Sequence, residues 1–211
     1  MKSTIFISIL LLMIVLDSCN SCIGKQESID EILTNSFVSD TFICYQSILP
    51  TIDSVKHITY LDLYAPSIGN LPKEIEQLTN LKVFFIAKNG AMTELPKELG
   101  KLKKLEEIRI TKALRLETIP DEICELVNLK VLQIAWGGLL TEIPDSIGKL
   151  KNLEMLLLGT NRLTKLPESV TNLKKLKVID IWNNQIPKAE YERLKELMPN
   201  TDIYYDSPYG Y

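Results

Sequence analysis

The 211-residue sequence predicts an α/β solenoid: short strands stacked side by side in a parallel concave β-sheet, with short helical or 3-10 segments returning along the convex side. Three observations carry this prediction. An apolar pattern L-x-x-L-x-L begins at Ile58, Leu81, Leu105, Leu129, Leu153 and Leu176, at intervals of 23, 24, 24, 24 and 23 residues. A second pattern, [LI]-P-x-x-[ILV]-x-x-L, runs in phase with it from Leu71-Pro72, Leu95-Pro96, Ile119-Pro120, Ile143-Pro144 and Leu166-Pro167. One such unit cannot cover its own apolar face, so stacking is what closes a continuous core.

The chain opens with Met1-Lys2 and an uncharged, almost wholly apolar run over residues 4–16. A spanning helix needs about 20 such residues, whereas the apolar region of a secretory signal is this short. A buried N-terminal element is the competing reading, but nothing downstream needs one. Leu16-Asp17-Ser18-Cys19 resembles the bacterial lipoprotein signal, although Asp17 stands where a small uncharged residue is usual. The resemblance implies residues 1–18 as signal peptide, a lipid on Cys19 and a tether over 19–27. Ordinary cleavage after Ser21 would instead make the protein secreted.

Residues 28–56 read as an N-terminal cap. Ser28-Ile29-Asp30-Glu31 has the form of a capping box, residues 37–45 are β-prone, and Leu49-Pro50 with Ile52 and Val55 looks like a worn copy of the second pattern. Six strands are expected within residues 57–186, on the triplets Ile58/Leu61/Leu63, Leu81/Phe84/Ile86, Leu105/Ile108/Ile110, Leu129/Leu132/Ile134, Leu153/Leu156/Leu158 and Leu176/Ile179/Ile181. Alternation about the L-x-L core points apolar residues to one side. The proline then ends extended pairing, because it has no N–H to give to a ladder. Apolar residues three apart suit a 3-10 turn. Residues 187–211 read as a C-terminal cap and tail, with a helix from Lys188 to Met198 stopped before Pro199 and a last strand at Ile203-Tyr204-Tyr205.

This pair of patterns resembles the leucine-rich-repeat family, in the variety with Leu-Pro-x-x-Ile on the convex side. The resemblance covers roughly residues 58–200 and implies a right-handed coil. The family usually places Asn three residues after the last strand Leu. Here that slot holds Pro66, Asn89, Ala113, Gly137, Asn161 and Asn184, so the turns of repeats one, three and four need other backbone partners.

Side chains between and beside the strand leucines are expected on the concave face. The central ones are Asp62, Phe85, Arg109, Gln133, Leu157 and Asp180; Tyr60, Tyr64, Lys88, Lys112, Trp136, Met155 and Trp182 flank them. Phe85, Arg109, Gln133, Trp136 and Leu157 would form a patch of aromatic, aliphatic and Arg residues, the composition of interface centres. Scattered apolar surface residues are the plain alternative.

Other chemistry finds little support. Asp62 and Asp180 lie five rungs apart, about 24 Å at the strand spacing, where paired glycosidase carboxylates need roughly 5–10 Å. Glu106 and Glu107 read as solvated charge. His57 is the sole histidine, near a cap, and Cys19, Cys22, Cys44 and Cys124 lack a zinc spacing. Export would allow Cys22 to pair with Cys44, while Cys124 takes the slot of Gly100 and Gly148 and reads as a small buried filler. No metal or cofactor is expected. The net charge of −3 argues against a nucleic-acid protein. The expected function is non-enzymatic: a lipid-anchored module of a bacterial envelope binding a protein or peptide, or alternatively a glycan stacked on Trp136, Trp182, Phe85 and Tyr64.

Overall fold

The computed structural model describes residues 43–44, 58–64 and 69–206, with backbone alone at 43–44 and 64. The expected signal, Cys19, the tether, the capping box, Leu49-Pro50, Cys22, His57, Pro66 and the tail from residue 207 lie outside them.

Among the described residues, eight strands form one parallel sheet in chain order. They are β1 (Ile43–Cys44), β2 (Tyr60–Tyr64), β3 (Val83–Ala87), β4 (Glu107–Thr111), β5 (Val131–Ala135), β6 (Met155–Leu157), β7 (Val178–Asp180) and β8 (Asp202–Tyr204). The six strands expected within residues 57–186 are β2 to β7. β1 falls inside the β-prone stretch of the cap, and β8 begins one residue before the last strand the sequence predicts. In β3 and β4 the second and fourth residues are buried and the others face outward, as period-2 alternation requires.

Each proline of the second pattern starts a 3-10 helix: η1 (Lys73–Gln77), η2 (Lys97–Lys101), η3 (Asp121–Glu125), η4 (Asp145–Lys149) and η5 (Glu168–Asn172). The proline stands extended at the N-cap and its carbonyl accepts the first helical bond, as from Ile75 N–H to Pro72 O at 3.1 Å and Leu99 N–H to Pro96 O at 3.0 Å. The missing proline N–H therefore costs nothing at that place. Ile75, Leu99, Ile123, Ile147 and Val170 point inward from these helices and meet the strand leucines in one core.

The convex helices pack closely. A Cβ built on Gly100 would lie 2.2 Å from Glu122 O, and one on Gly148 would lie 2.5 Å from Ser169 O. Cys124 occupies the same slot in the intervening coil and is buried, which makes it the small filler its position implied. Burial pushes its thiol pKa up.

The C-terminal end is closed by helix α1 (Lys188–Leu197), which follows Pro187 and buries Leu194. Tyr205 donates its hydroxyl to Ile186 O at 3.0 Å and stacks on Tyr191 at a centroid distance of 4.8 Å.

Candidate ligand-binding face

The strand register sets out the concave face as parallel rows. The central row runs Asp62, Phe85, Arg109, Gln133, Leu157, Asp180, Tyr204. On one side Tyr60, Val83, Glu107, Val131, Met155 and Val178 are partners in turn. On the other side Tyr64, Ala87, Thr111 and Ala135 are partners. The central residues read from the sequence therefore do line up, one per rung. Asp62 and Asp180 stand five pairings apart in it, which rules them out as a carboxylate pair.

Arg109 is held where it stands. Its Nε donates to Glu107 Oε2 at 2.9 Å and its Nη1 to Gln133 Oε1 at 3.2 Å, so the guanidinium bridges two rungs. The half-exposed ion pair adds little stability, since such pairs are worth about 0–1 kcal/mol. Its effect is to fix a planar donor group between Phe85 and Leu157. Two other groups on the face are perturbed. Burial raises the Tyr60 hydroxyl, helped by the negative charges of Asp62 and Glu107, and burial raises the Asp62 carboxyl.

Lys88, Lys112 and Trp136 are not strand residues. Together with Thr160 and Asn183 they hold the same place in successive coils, just beyond the strands, all left-handed, with φ of 54°, 56°, 61°, 60° and 53°. Such a backbone costs a non-glycine residue roughly 1–2 kcal/mol. Here a bond to the next coil holds it: Lys88 N–H to Thr111 O at 3.0 Å, Lys112 N–H to Ala135 O at 3.1 Å, Trp136 N–H to Gly159 O at 3.0 Å and Thr160 N–H to Trp182 O at 2.9 Å.

Trp136 thus sits on the rim beside the central row, and its partner is an aromatic two coils away. Trp182 lies across Gly159, where an added Cβ would come 2.7 Å from its Cδ1 and Nε1. It reaches Trp136 edge-to-face, with centroids 5.4 Å apart and planes at 72°. Trp136 remains 40% exposed. Asp180 anchors the arrangement by accepting the Trp182 N–H at Oδ1, 3.1 Å away. Burial raises the Asp180 carboxyl, and that N–H lowers it in part. Sequence reasoning missed this cradle. The available signal was Gly159, in the slot held by Ala87, Thr111 and Ala135, followed in the next repeat by a tryptophan.

The asparagine slots work across coils. Asn161 Nδ2 donates to Leu158 O at 2.9 Å and also back to Ile134 O at 2.7 Å, in the repeat whose own slot is Gly137. Asn184 likewise reaches Leu158 O at 3.0 Å and accepts from Leu163 N–H at 2.9 Å. Asn89 accepts from Ala91 N–H and Met92 N–H, and its main-chain carbonyl takes Leu114 N–H at 3.0 Å in the repeat with Ala113. The partners that repeats three and four needed come from their neighbours.

Among the described residues no His, Cys, Asp or Glu group could hold a metal ion, and no helix is long and apolar enough to cross a membrane.

The family model described as a leucine-rich repeat region matches residues 40–136 and 118–199. No curated protein matches the chain. Solved structures do. One is a leucine-rich-repeat protein of Leptospira interrogans, 25% identical, covering 73% of this chain and 62% of its own, with a TM-score of 0.37. A second is an internalin from Listeria monocytogenes, 20% identical, covering 72% of this chain and 42% of its own, with a TM-score of 0.58. A third is a plant peptide hormone receptor solved in a complex, 28% identical over 66% of this chain and 23% of its own, with a TM-score of 0.52. The chain spans less than two thirds of the length of each of these three.

Proposed function

The chain belongs to the leucine-rich repeat family, and from that premise we propose that it binds a protein or peptide ligand on its concave face while a lipid on Cys19 holds it outside the cytoplasm of a bacterial cell. The observation that carries the binding face is the Arg109–Gln133 bridge, set between Phe85 and Leu157 in one row with the Trp136–Trp182 pair at its rim. Arg and aromatic side chains dominate measured interface hot spots. A prepositioned guanidinium also avoids part of the ordering cost that a free side chain would pay on binding. The plant peptide hormone receptor is solved in a complex, which supports a peptide-sized partner for this kind of fold. The anchor is supported by Leu16-Asp17-Ser18-Cys19 after the apolar run.

Trp136→Ala and Arg109→Ala should each weaken a partner recovered with the full chain by about 1–3 kcal/mol, with little effect on melting. Lys149→Ala, on the convex side, should not. Calorimetry of the three variants decides the matter: loss at Lys149 without loss at the concave pair would place the interface on the other side. Cell fractionation of Cys19→Ser, with membranes washed at about 1 M salt to strip electrostatic contacts, tests the anchor, and an unchanged membrane fraction would remove it.

A glycan is the second reading. It is favoured by the exposed Trp136 ring beside Trp182 and the Asp180 carboxylate, since an aromatic face next to a hydroxyl acceptor suits a sugar. A glycan array separates it from a protein partner.

A further inference from the structure

The positive charge of this acidic chain is gathered on one flank. From the last residue of each 3-10 helix to the residue before the following strand run residues 77–82, 101–106, 125–130, 149–154 and 172–177. These thirty residues hold ten of the chain's twenty lysines, against three glutamates and no aspartate. The flank therefore carries +7 in a chain of net charge −3, leaving −10 for all other residues together. All ten lysines are exposed.

Stacking is what concentrates the charge. Equivalent residues of successive coils are one rung apart, about 4.8 Å, well inside the screening length of about 8 Å at physiological salt. The lysines act as one field. Glu76, Glu125, Glu106 and Glu154 pair with Lys101, Lys103, Lys130 and Lys177 at 2.6, 3.1, 2.7 and 2.6 Å and reduce the field locally. Lys104 and Lys175 instead donate to the neutral amides Asn80 and Asn152, at 2.6 and 2.7 Å, so their charge is held in place and kept. Lys82, Lys104, Lys130, Asn128, Asn152 and Glu106 line an open basin of about 410 Å³ on this flank, wide enough for a phosphate-bearing headgroup.

We propose that this flank docks on an anionic lipid bilayer, with a lipid phosphate seated in the Lys82–Lys104–Lys130 basin. The choice of a bilayer over other polyanions rests on the proposed lipid at Cys19. One lipid signal gains from a polybasic partner, and each lysine near an anionic leaflet strengthens attachment about fivefold. The cations are all lysine. The four arginines, Arg109, Arg115, Arg162 and Arg193, lie elsewhere in the chain. Compact, strongly hydrated charges suit a diffuse surface, whereas the arginine fork suits a discrete bidentate partner. Docked this way, the coil axis lies along the membrane and the concave row points sideways, open to a ligand.

The test uses the full chain carrying Cys19→Ser, so that no lipid is attached and the outcome is independent of anchoring. Its partition is measured onto vesicles of phosphatidylcholine alone and onto vesicles of equal parts phosphatidylcholine and phosphatidylglycerol. The neutral vesicles measure what the apolar N-terminal run contributes. The anionic vesicles should bind more tightly, and Lys104→Glu, Lys174→Glu and Lys175→Glu combined should lower that binding about a hundredfold or more. The same change of net charge at Lys73, Lys97 and Lys165, away from the flank, should lower it far less. Raising salt from about 0.1 M to 1 M, which shortens the screening length from about 10 to 3 Å, should abolish the difference between the vesicles. Equal binding to both vesicles, or equal loss from the two triple variants, overturns the proposal. So does lysine-dependent capture of soluble polyphosphate without vesicle binding, which would make the flank a site for a free polyanion. Loss of ligand binding in Arg109→Ala or Trp136→Ala with vesicle binding intact concerns the concave face alone.

Discussion

Replacing Gly159 with alanine should unseat one indole and leave the fold standing. The new Cβ would lie 2.7 Å from Trp182 Cδ1 and Nε1 and 2.9 Å from Asp180 Oδ2. Carbon atoms settle at about 3.5–4.0 Å, so the indole must retreat by roughly 0.8 Å or more. That shifts the rings out of their 5.4 Å edge-to-face geometry. The cost is at most about 0.5–1.5 kcal/mol, the usual worth of an aromatic pair. Gly159 is not left-handed, so alanine fits its backbone and returns about 0.4–1 kcal/mol by restricting the unfolded chain. The two effects nearly cancel, and the net change in stability should stay within about 1 kcal/mol. The spectra should change plainly, because Trp136 and Trp182 are the only two tryptophans in the chain. Near-ultraviolet circular dichroism should lose the signal of the coupled rings, and the emission maximum should move red as Trp182 meets water. Unaltered spectra would mean that Trp182 does not lie on Gly159. A loss above about 3 kcal/mol would mean that the coil itself, and not the ring, occupies that space.

Leu132, the second residue of β5, 1% exposed and paired with Ile108 and Leu156, should cost about 2–5 kcal/mol as Leu132→Ala; a denaturant midpoint shift worth under about 0.5 kcal/mol would refute its place in the core. Asp180→Asn should raise the melting temperature at neutral pH. Its folded carboxyl pKa lies above the unfolded value because of burial, so the folded state binds the proton more tightly and stability falls as pH rises through that window. The advantage of asparagine should therefore be full above the folded pKa and vanish below the unfolded value of about 3.9; an advantage that grew on acidification would show the sign to be wrong.

Much of this architecture can be read before any coordinates. The coil interval, the inward leucines and the helix started by each Leu-Pro follow from periodicity and from what proline can and cannot donate. The central row of the candidate face follows as well, because alternation in a strand leaves Arg109 and Gln133 no other side to occupy. The left-handed row is different. Lys88, Lys112, Trp136, Thr160 and Asn183 share no chemistry that would mark them, and the first four are held by carbonyls of the following coil. The seat of Trp182 was hidden for a related reason: it depends on what Gly159 lacks, in a different repeat. Asn161 completing the turn of the Gly137 repeat is again a bond between coils, and counting matches within single repeats makes that turn look incomplete. Local pattern thus specifies each coil, while the finish of each turn and the packing on the rim are properties of adjacent pairs.

The left-handed row has a consequence for how readily such a protein acquires new partners. At residues 88, 112, 136 and 160 the main-chain N–H is tied to the next coil by bonds of 2.9–3.1 Å, whatever side chain the residue carries. Lysine, tryptophan and threonine already occupy the same geometry. Conformation and identity are thus uncoupled at these places, and they form a display edge along the mouth of the ligand face. Exchange of side chains there should leave melting almost level while changing what the face recognises, so diversification can proceed without eroding the scaffold. The buried leucine rows behind it, tied to one shape and one volume, allow no such freedom.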